Sequence, residues 1–197
     1  MIHRFLNLLA VLIWPLSAAA AEENRIADLY ARGLSGEQQA VVDCVAALEA
    51  RLAKQPNDQL ARVYLGSAWT LRSRDLSFGP GKLSALRKGI ALMDEAAAAV
   101  PNDARVLLLR AVTNESFPAI LGRRKVALQQ LDEVVALVEK NPPKLDSFDR
   151  QLLYLKAGEA AKRAGAPARA KQLWQRGLTI EADPKLRQEI ATELAQL

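Results

Sequence analysis

The spacing Gly158, Gly165, Ala170, Trp174, Gly177 and then Pro184 constrains this chain more than any other feature. Two helices that approach closely need residues without bulk at their crossing, a residue that permits the backbone to reverse, and one large side chain to fill the interior between them. Those residue types occur here in that order, which predicts a helical hairpin whose two arms touch. A looser copy lies upstream in Leu65, Gly66, Trp69, Gly89, Met93, Ala96 and Pro101. A third, poorer copy contains Ala111, Ala127, Leu131 and Val134, with Arg110 and Asn114 where apolar residues are expected, and Pro142 and Pro143 behind it.

The rest of the chain is consistent with helices throughout. Alanine and leucine dominate, aromatics make up 5%, and runs of β-branched residues are missing. Proline and glycine sit mainly between periodic segments. The periodicity predicts helices over 24–32, 37–54, 58–75, 83–99, 103–116, 124–139, 146–164, 167–180 and 184–196. In 37–54 the stripe Val41, Cys44, Val45, Leu48 and Leu52 faces one way, while Asp43, Glu49, Arg51 and Lys54 face the other. Asp58 and Asp103 follow Pro-Asn pairs and are placed to accept from the free amides of the next helix. Pro184 stands at a first helical position, where its missing N–H costs nothing.

On these residues the chain resembles the tetratricopeptide repeat (TPR) superfamily, whose unit is a roughly 34-residue helix pair closed by proline. The units fall at 59–103, 104–143 and 151–184, and helix 37–54 adds a preceding half-unit. The first unit carries an insert at 72–82 between its helices. The resemblance implies an all-α, right-handed solenoid of hairpins in which stacked neighbours complete each other's core. The last helix, with Leu186, Ile190 and Leu194 on one stripe, reads as a solubilising cap.

The first residues have the form of an export signal. Arg4 and the amino terminus supply positive charge, Phe5 to Leu16 form a largely apolar core interrupted by Pro15, and Ser17 with Ala18 to Ala21 offers small residues before Glu22 and Glu23. The expectation is a signal peptide over 1–21, cleaved after Ala20 or Ala21, and a single helical domain over 22–197. The apolar run is short for a membrane anchor. The style is bacterial, which would make the mature chain periplasmic. Cys44 is the single cysteine, so no intramolecular disulfide can form, and its apolar neighbours place it in the core.

The inventory argues against catalysis. His3, the single histidine, leaves with the signal, which removes Ser-His, Cys-His and histidine-metal sites from the mature chain. The neighbouring carboxylates Asp94-Glu95 and Asp132-Glu133 diverge around their helices and read as surface solvation. The Gly79-Pro80-Gly81-Lys82 stretch lacks the spacing and the preceding strand of a phosphate loop. No metal or cofactor is expected. The formal charge is +5, the cations are dispersed over all helices, and a nucleic-acid partner is not expected. No second long apolar run remains to span a membrane.

The resemblance implies a concave face built by the first helix of each hairpin. Transferred to this sequence, that groove comprises Val63, Ser67 and Thr70; Arg105, Leu108, Val112 and Glu115; and Leu155, Glu159 and Lys162. A protein or peptide partner would lie there. Arg72, Arg74, Lys82, Arg123, Arg124 and Lys125 fall in the turns of two adjacent hairpins. They would form a basic rim, with Phe78, Phe117 and Ile120 as apolar contacts, for an acidic partner or an anionic lipid surface. The alternative is a solvated edge with internal ion pairs, Arg110 satisfying Glu115 or Asp75. The functional expectation is a periplasmic scaffold or adaptor of an envelope complex. The alternative is a carrier of a small or lipid ligand, an accessory subunit of an envelope transporter.

Overall fold

The computed structural model describes the backbone of residues 10–140 and 145–197, with side chains from Ala19 onward. Residues 1–9, where the expected signal begins, and the prolines Pro142 and Pro143 expected to close the middle unit lie outside the described residues. The described residues form helices and no strand: α1 (Ala10–Leu34), α2 (Gln38–Lys54), α3 (Gln59–Asp75), α4 (Pro80–Ala99), α5 (Ala104–Glu115), α6 (Arg123–Lys140), α7 (Ser147–Arg163), α8 (Pro167–Leu178) and α9 (Pro184–Ala195). A single 3₁₀ turn, Ala119–Leu121, precedes α6.

Local chemistry sets the starts of these helices. Asp58 Oδ1 accepts from the amide of Ala61 at 2.9 Å, and Asp103 Oδ1 accepts from those of Arg105 and Val106 at 3.0 and 3.1 Å. Asp146 and Asp183 do the same for α7 and α9. Each cap satisfies a donor that the first helical turn leaves free, worth about 1 kcal/mol. Gly165, at φ 78°, reverses the chain between α7 and α8, a backbone conformation in which a Cβ is strained.

The helices pack as successive antiparallel pairs, α1 on α2, α3 on α4, α5 on α6 and α7 on α8, with α9 laid over the last pair. The first helices also touch each other, α3 against α5 and α5 against α7. One apolar cluster joins α1, α2 and one face of α3; a second runs from Val63 and Met93 through the later helices to Ile190. Helix α3 supplies both, so no hairpin has a core of its own. This is the all-α repeat array that the spacing implies.

The N-terminal unit is more complete than expected. Residues 37–54 are not a half-unit, because α1 continues to Leu34 and pairs with α2. Ile26 and Leu29 are buried in that pair, and Gly33 lets α2 approach so closely that a Cβ there would lie 2.9 Å from Val41 Cγ2. The periodicity predicts the helix over 24–32 but not its pairing: the apolar stripe of α1 is short, Ile26, Leu29 and Tyr30, with Arg25 and Asp28 on the exposed face. Helix α1 also runs without a break through Ala20 and Ala21.

The insert at 72–82 is mostly helix rather than loop. α3 ends at Asp75 and α4 begins at Pro80, so the extra residues lengthen both arms and leave a short turn at 76–79. Pro80 starts α4 because its fixed φ suits the first turn. Lys82 Nζ then folds back and donates to the carbonyl oxygens of Ser73, Arg74 and Leu76, which closes the C-terminus of α3. A cation at that end also opposes the helix dipole.

Candidate functional site

The concave side holds a groove of about 530 Å³, walled mainly by the first helices of the hairpins. Ile26, Tyr30 and Leu34 come from α1, Leu60, Tyr64 and Leu71 from α3, and Leu108, Leu109 and Val112 from α5. Phe148 and Leu152 from the first turns of α7 close the far end, and Leu48 and Arg51 reach in from α2. The lining is apolar with charged groups on its margins. Arg105 pairs with Asp149 at 3.3 Å, and Arg51 with Asp58 at 2.8 Å. Burial, and then the nearby Asp146, hold the Asp149 carboxyl above its ordinary range against the lowering pull of Arg105.

A chain of hydroxyls crosses the groove wall. Tyr30 Oη lies 2.7 Å from Ser67 Oγ, which lies 3.0 Å from Thr113 Oγ1, so α1, α3 and α5 are joined through three side chains. Burial pushes the Tyr30 phenol well above its ordinary range, and it stays a neutral donor and acceptor at physiological pH. The Tyr30 ring meets Tyr64 edge-to-face at 5.1 Å. These hydroxyls form a connected polar line in a mainly apolar wall, and they offer a fixed point for orienting a ligand.

Of the ten groove residues expected, Ser67, Thr70, Arg105, Leu108 and Val112 line the groove. The other five do not. Val63 and Leu155 are buried in the core between helices. Glu115 is tied to Arg163 at 2.5 Å, Glu159 to Lys156 at 3.1 Å, and Lys162 to Glu193 at 3.0 Å with its ammonium over Trp174. The family pattern misplaces the α7 set because the groove meets only the first turns of α7, near Phe148. Tyr30 and the other α1 residues fall outside the expected groove for a different reason: the repeat register starts at 59 and leaves the α1–α2 hairpin out, while Tyr64 of α3 is drawn to the groove by its ring contact with Tyr30. The Ile26, Leu29, Tyr30, Gly33 spacing was the available signal.

The six rim cations do not form one free rim. Arg123 donates to Asp94 Oδ2 at 2.8 Å, Arg74 pairs with Asp75 at 2.7 Å, and Lys82 is spent on the end of α3. Arg72, Arg124 and Lys125 make no ion pair among the described residues, although Arg124 Nε donates to the carbonyl of Phe117 at 3.2 Å. Phe117 itself is buried, whereas Phe78 and Ile120 stand out in solvent.

Arg110 is satisfied by a partner not among the expected ones. Its Nε and Nη2 donate to Asp94 Oδ1 at 2.9 and 2.7 Å, and its Nη1 to Gln130 Oε1 at 2.8 Å. Asp94 is therefore a clamp joining α4 to α5 and α6, not surface solvation. Its neighbour Glu95 meets Arg62 at 3.3 Å. The Arg110 and Arg123 side chains are only 14% and 19% exposed, against 40% for Asp94. Asp94→Ala is expected to cost about 2–4 kcal/mol, since it leaves two shielded guanidinium groups without a counter-charge. Arg123→Gln should cost clearly less, because Arg110 keeps both its bonds to Oδ1. Urea unfolding of the two variants checks the order; equal losses would remove the clamp.

Cys44 is a free, buried thiol, and burial raises its pKa to about 11, so thiolate chemistry is suppressed near neutrality. Among the described residues, no group of three or more His, Cys, Asp or Glu side chains is placed to hold a metal ion. No described helix is long and apolar enough to cross a membrane.

Among solved structures, the chain is similar to TTC0263, a thermophilic TPR protein of Thermus thermophilus. The likeness covers 93% of this chain and 96% of that one, with a TM-score of 0.62 and 18% sequence identity. At that identity the likeness is one of fold: the array is a TPR-like helical solenoid. No protein-family profile matches the chain, and no curated protein sequence does.

Proposed function

We propose that this TPR-like solenoid is an exported, periplasmic adaptor that holds an apolar segment of a partner protein in its concave groove and so recruits it to an envelope complex. The groove carries the reading. It is walled by apolar side chains from α1, α3, α5 and α7, the first helices of successive hairpins, with α2 reaching in. It is partly open to solvent, and ion pairs stand on its margins. A volume of about 530 Å³ accommodates several large side chains, as when an amphipathic helix presents its i, i+3, i+4 and i+7 anchors. Ser67 and Thr113 would orient the segment, and Arg105 and Asp149 would meet its polar edge. The short, alanine-rich leader supports export. Protein recovered from the periplasm should then begin at Ala21 or Glu22.

A photo-crosslinking residue at Ala27, exposed on the groove wall, tests the reading in envelope extract. A specific protein adduct is expected, and Val112→Trp, which fills the groove, should weaken it about tenfold or more, a loss of ~1.4 kcal/mol or greater. An adduct indifferent to Val112→Trp would sink the groove as the binding site. The hydroxyl chain within an apolar wall favours a second reading, a carrier for an amphipathic small molecule such as an acyl chain with a polar head. Native mass spectrometry separates the two: a small ligand retained by the wild type and lost in Val112→Trp would replace the adaptor with the carrier.

A further inference from the structure

We propose that the turns closing the α3–α4 and α5–α6 hairpins dock on the surface of an anionic lipid bilayer, with Ile120 and Leu121 entering the headgroup region and Phe78 as a second anchor. Ile120 and Phe78 are each 92% exposed, the most exposed large apolar residues among those described. Ile120 belongs to an exposed run at 118–122, Pro-Ala-Ile-Leu-Gly, that carries no charge. The run is ordered: Leu121 N donates to Pro118 O and Gly122 N to Ala119 O, both at 3.0 Å, and Gly122 takes φ 66° to turn into α6. Phe117 is buried beneath it and holds the base of the turn in the core. The apolar tip is thus presented by the fold rather than left over from a collapsed loop.

Positive charge stands behind both tips. Arg124 and Lys125 are exposed and follow the first tip directly; Arg87 is exposed on α4 and lines a shallow depression with Phe78 and Leu83. None of these three has an acidic partner among the described ion pairs, whereas the nearby acids are already engaged, Asp94 by Arg110 and Arg123 and Glu115 by Arg163. Each tip is therefore an apolar point with unpaired cations close behind it. Apolar side chains backed by cations are what an anionic interface binds, the chains partitioning past the headgroups and the cations remaining among them. An uncharged apolar run backed by unpaired cations favours an anionic bilayer over a protein, because a rigid partner needs a matching pocket for Ile120 and a bilayer yields around it. The inference does not depend on the groove reading.

The test places an environment-sensitive fluorophore on the full chain at Ala119→Cys, with a second probe at Lys185→Cys on α9 as control; Cys44 is buried and escapes labelling. Phosphatidylcholine–phosphatidylglycerol vesicles are expected to shift the 119 probe to the blue and brighten it, leaving the 185 probe aqueous, and pure phosphatidylcholine to do neither. Arg124→Glu with Lys125→Glu should weaken the response roughly tenfold or more, with an unchanged helical circular-dichroism spectrum. A chain that binds vesicles through its apolar leader while the 119 probe stays aqueous would overturn the proposal. So would a response insensitive to the charge reversal, or a 119 probe that answers to an envelope protein and not to lipid.

Discussion

Trp174→Ala is expected to be the most damaging single truncation in the protein, at about 3–5 kcal/mol of folding stability. Trp174 is the largest fully buried side chain among the described residues, and its indole N–H donates to the Leu155 carbonyl at 3.1 Å. The ring lies over Gly158, where an added Cβ would fall on the pyrrole edge of the indole. Truncation therefore opens a cavity between α7 and α8 and leaves a buried carbonyl with one fewer donor. The helix backbones cannot simply collapse into the space, because Gly177 is already seated against Ile190 of α9 and Tyr154 of α7. The contact is reciprocal, which gives a sharper test than the truncation alone. Gly158→Ala should destabilise the wild type by about 2–3 kcal/mol and a Trp174→Phe background by less, since the smaller ring vacates the volume the new methyl needs. Denaturant unfolding of the four proteins measures the coupling. Strict additivity would show that the glycine and the tryptophan are not one device.

Gly66→Ala is the second large effect, with an expected loss of at least about 2 kcal/mol even though alanine is favoured over glycine in a helix by up to about 1 kcal/mol. At the α3–α4 crossing the obstruction is backbone. A Cβ on Gly66 would lie 2.7 Å from Gly89 O and 2.6 Å from Met93 Cγ, and one on Gly89 would lie 2.6 Å from Gly66 O and 3.0 Å from Thr70 N. A side chain can rotate away, but a carbonyl held in a helix cannot, so the helices must separate. Separation would displace Ser67 from Thr113 and loosen the wall of the groove. The double variant Gly66→Ala/Gly89→Ala should then cost less than the sum of the singles, because the first methyl already opens the crossing. Thermal and urea unfolding decide the matter; a neutral Gly66→Ala would mean that the two helices are not held at backbone contact in solution.

The two glycine–aromatic and glycine–glycine crossings were legible in the sequence because each depends on residue size at a spacing set by helix geometry. The caps at Asp58 and Asp103 were legible for a similar reason: they act on amides two or three residues away. The first hairpin was not, since α1 buries little more than Ile26 and Leu29 and relies on α2 and α3 to define its face. Arg110 gave a signal as a charged residue where an apolar one was due. Its partner Asp94 could not be read, because nothing local relates a residue on α4 to one on α5 and another on α6.

The candidate site divides along the same line. Ser67, Thr70, Arg105, Leu108 and Val112 followed from the repeat register, which determines which side of a first helix turns inward. The basic rim did not survive as drawn, because sequence counts charges and tertiary structure pairs them: Arg74, Lys82 and Arg123 are each engaged by groups on the protein itself. By itself, then, the sequence determined the helical repeat, its crossings and its caps, all of which are governed by short-range sterics and hydrogen bonding. The groove's far wall at Phe148, the hydroxyl chain across three helices and the choice of which cations stay free were decided by the stacking of the hairpins. Stacking sets distances between residues far apart in the chain, and no local pattern carries that information.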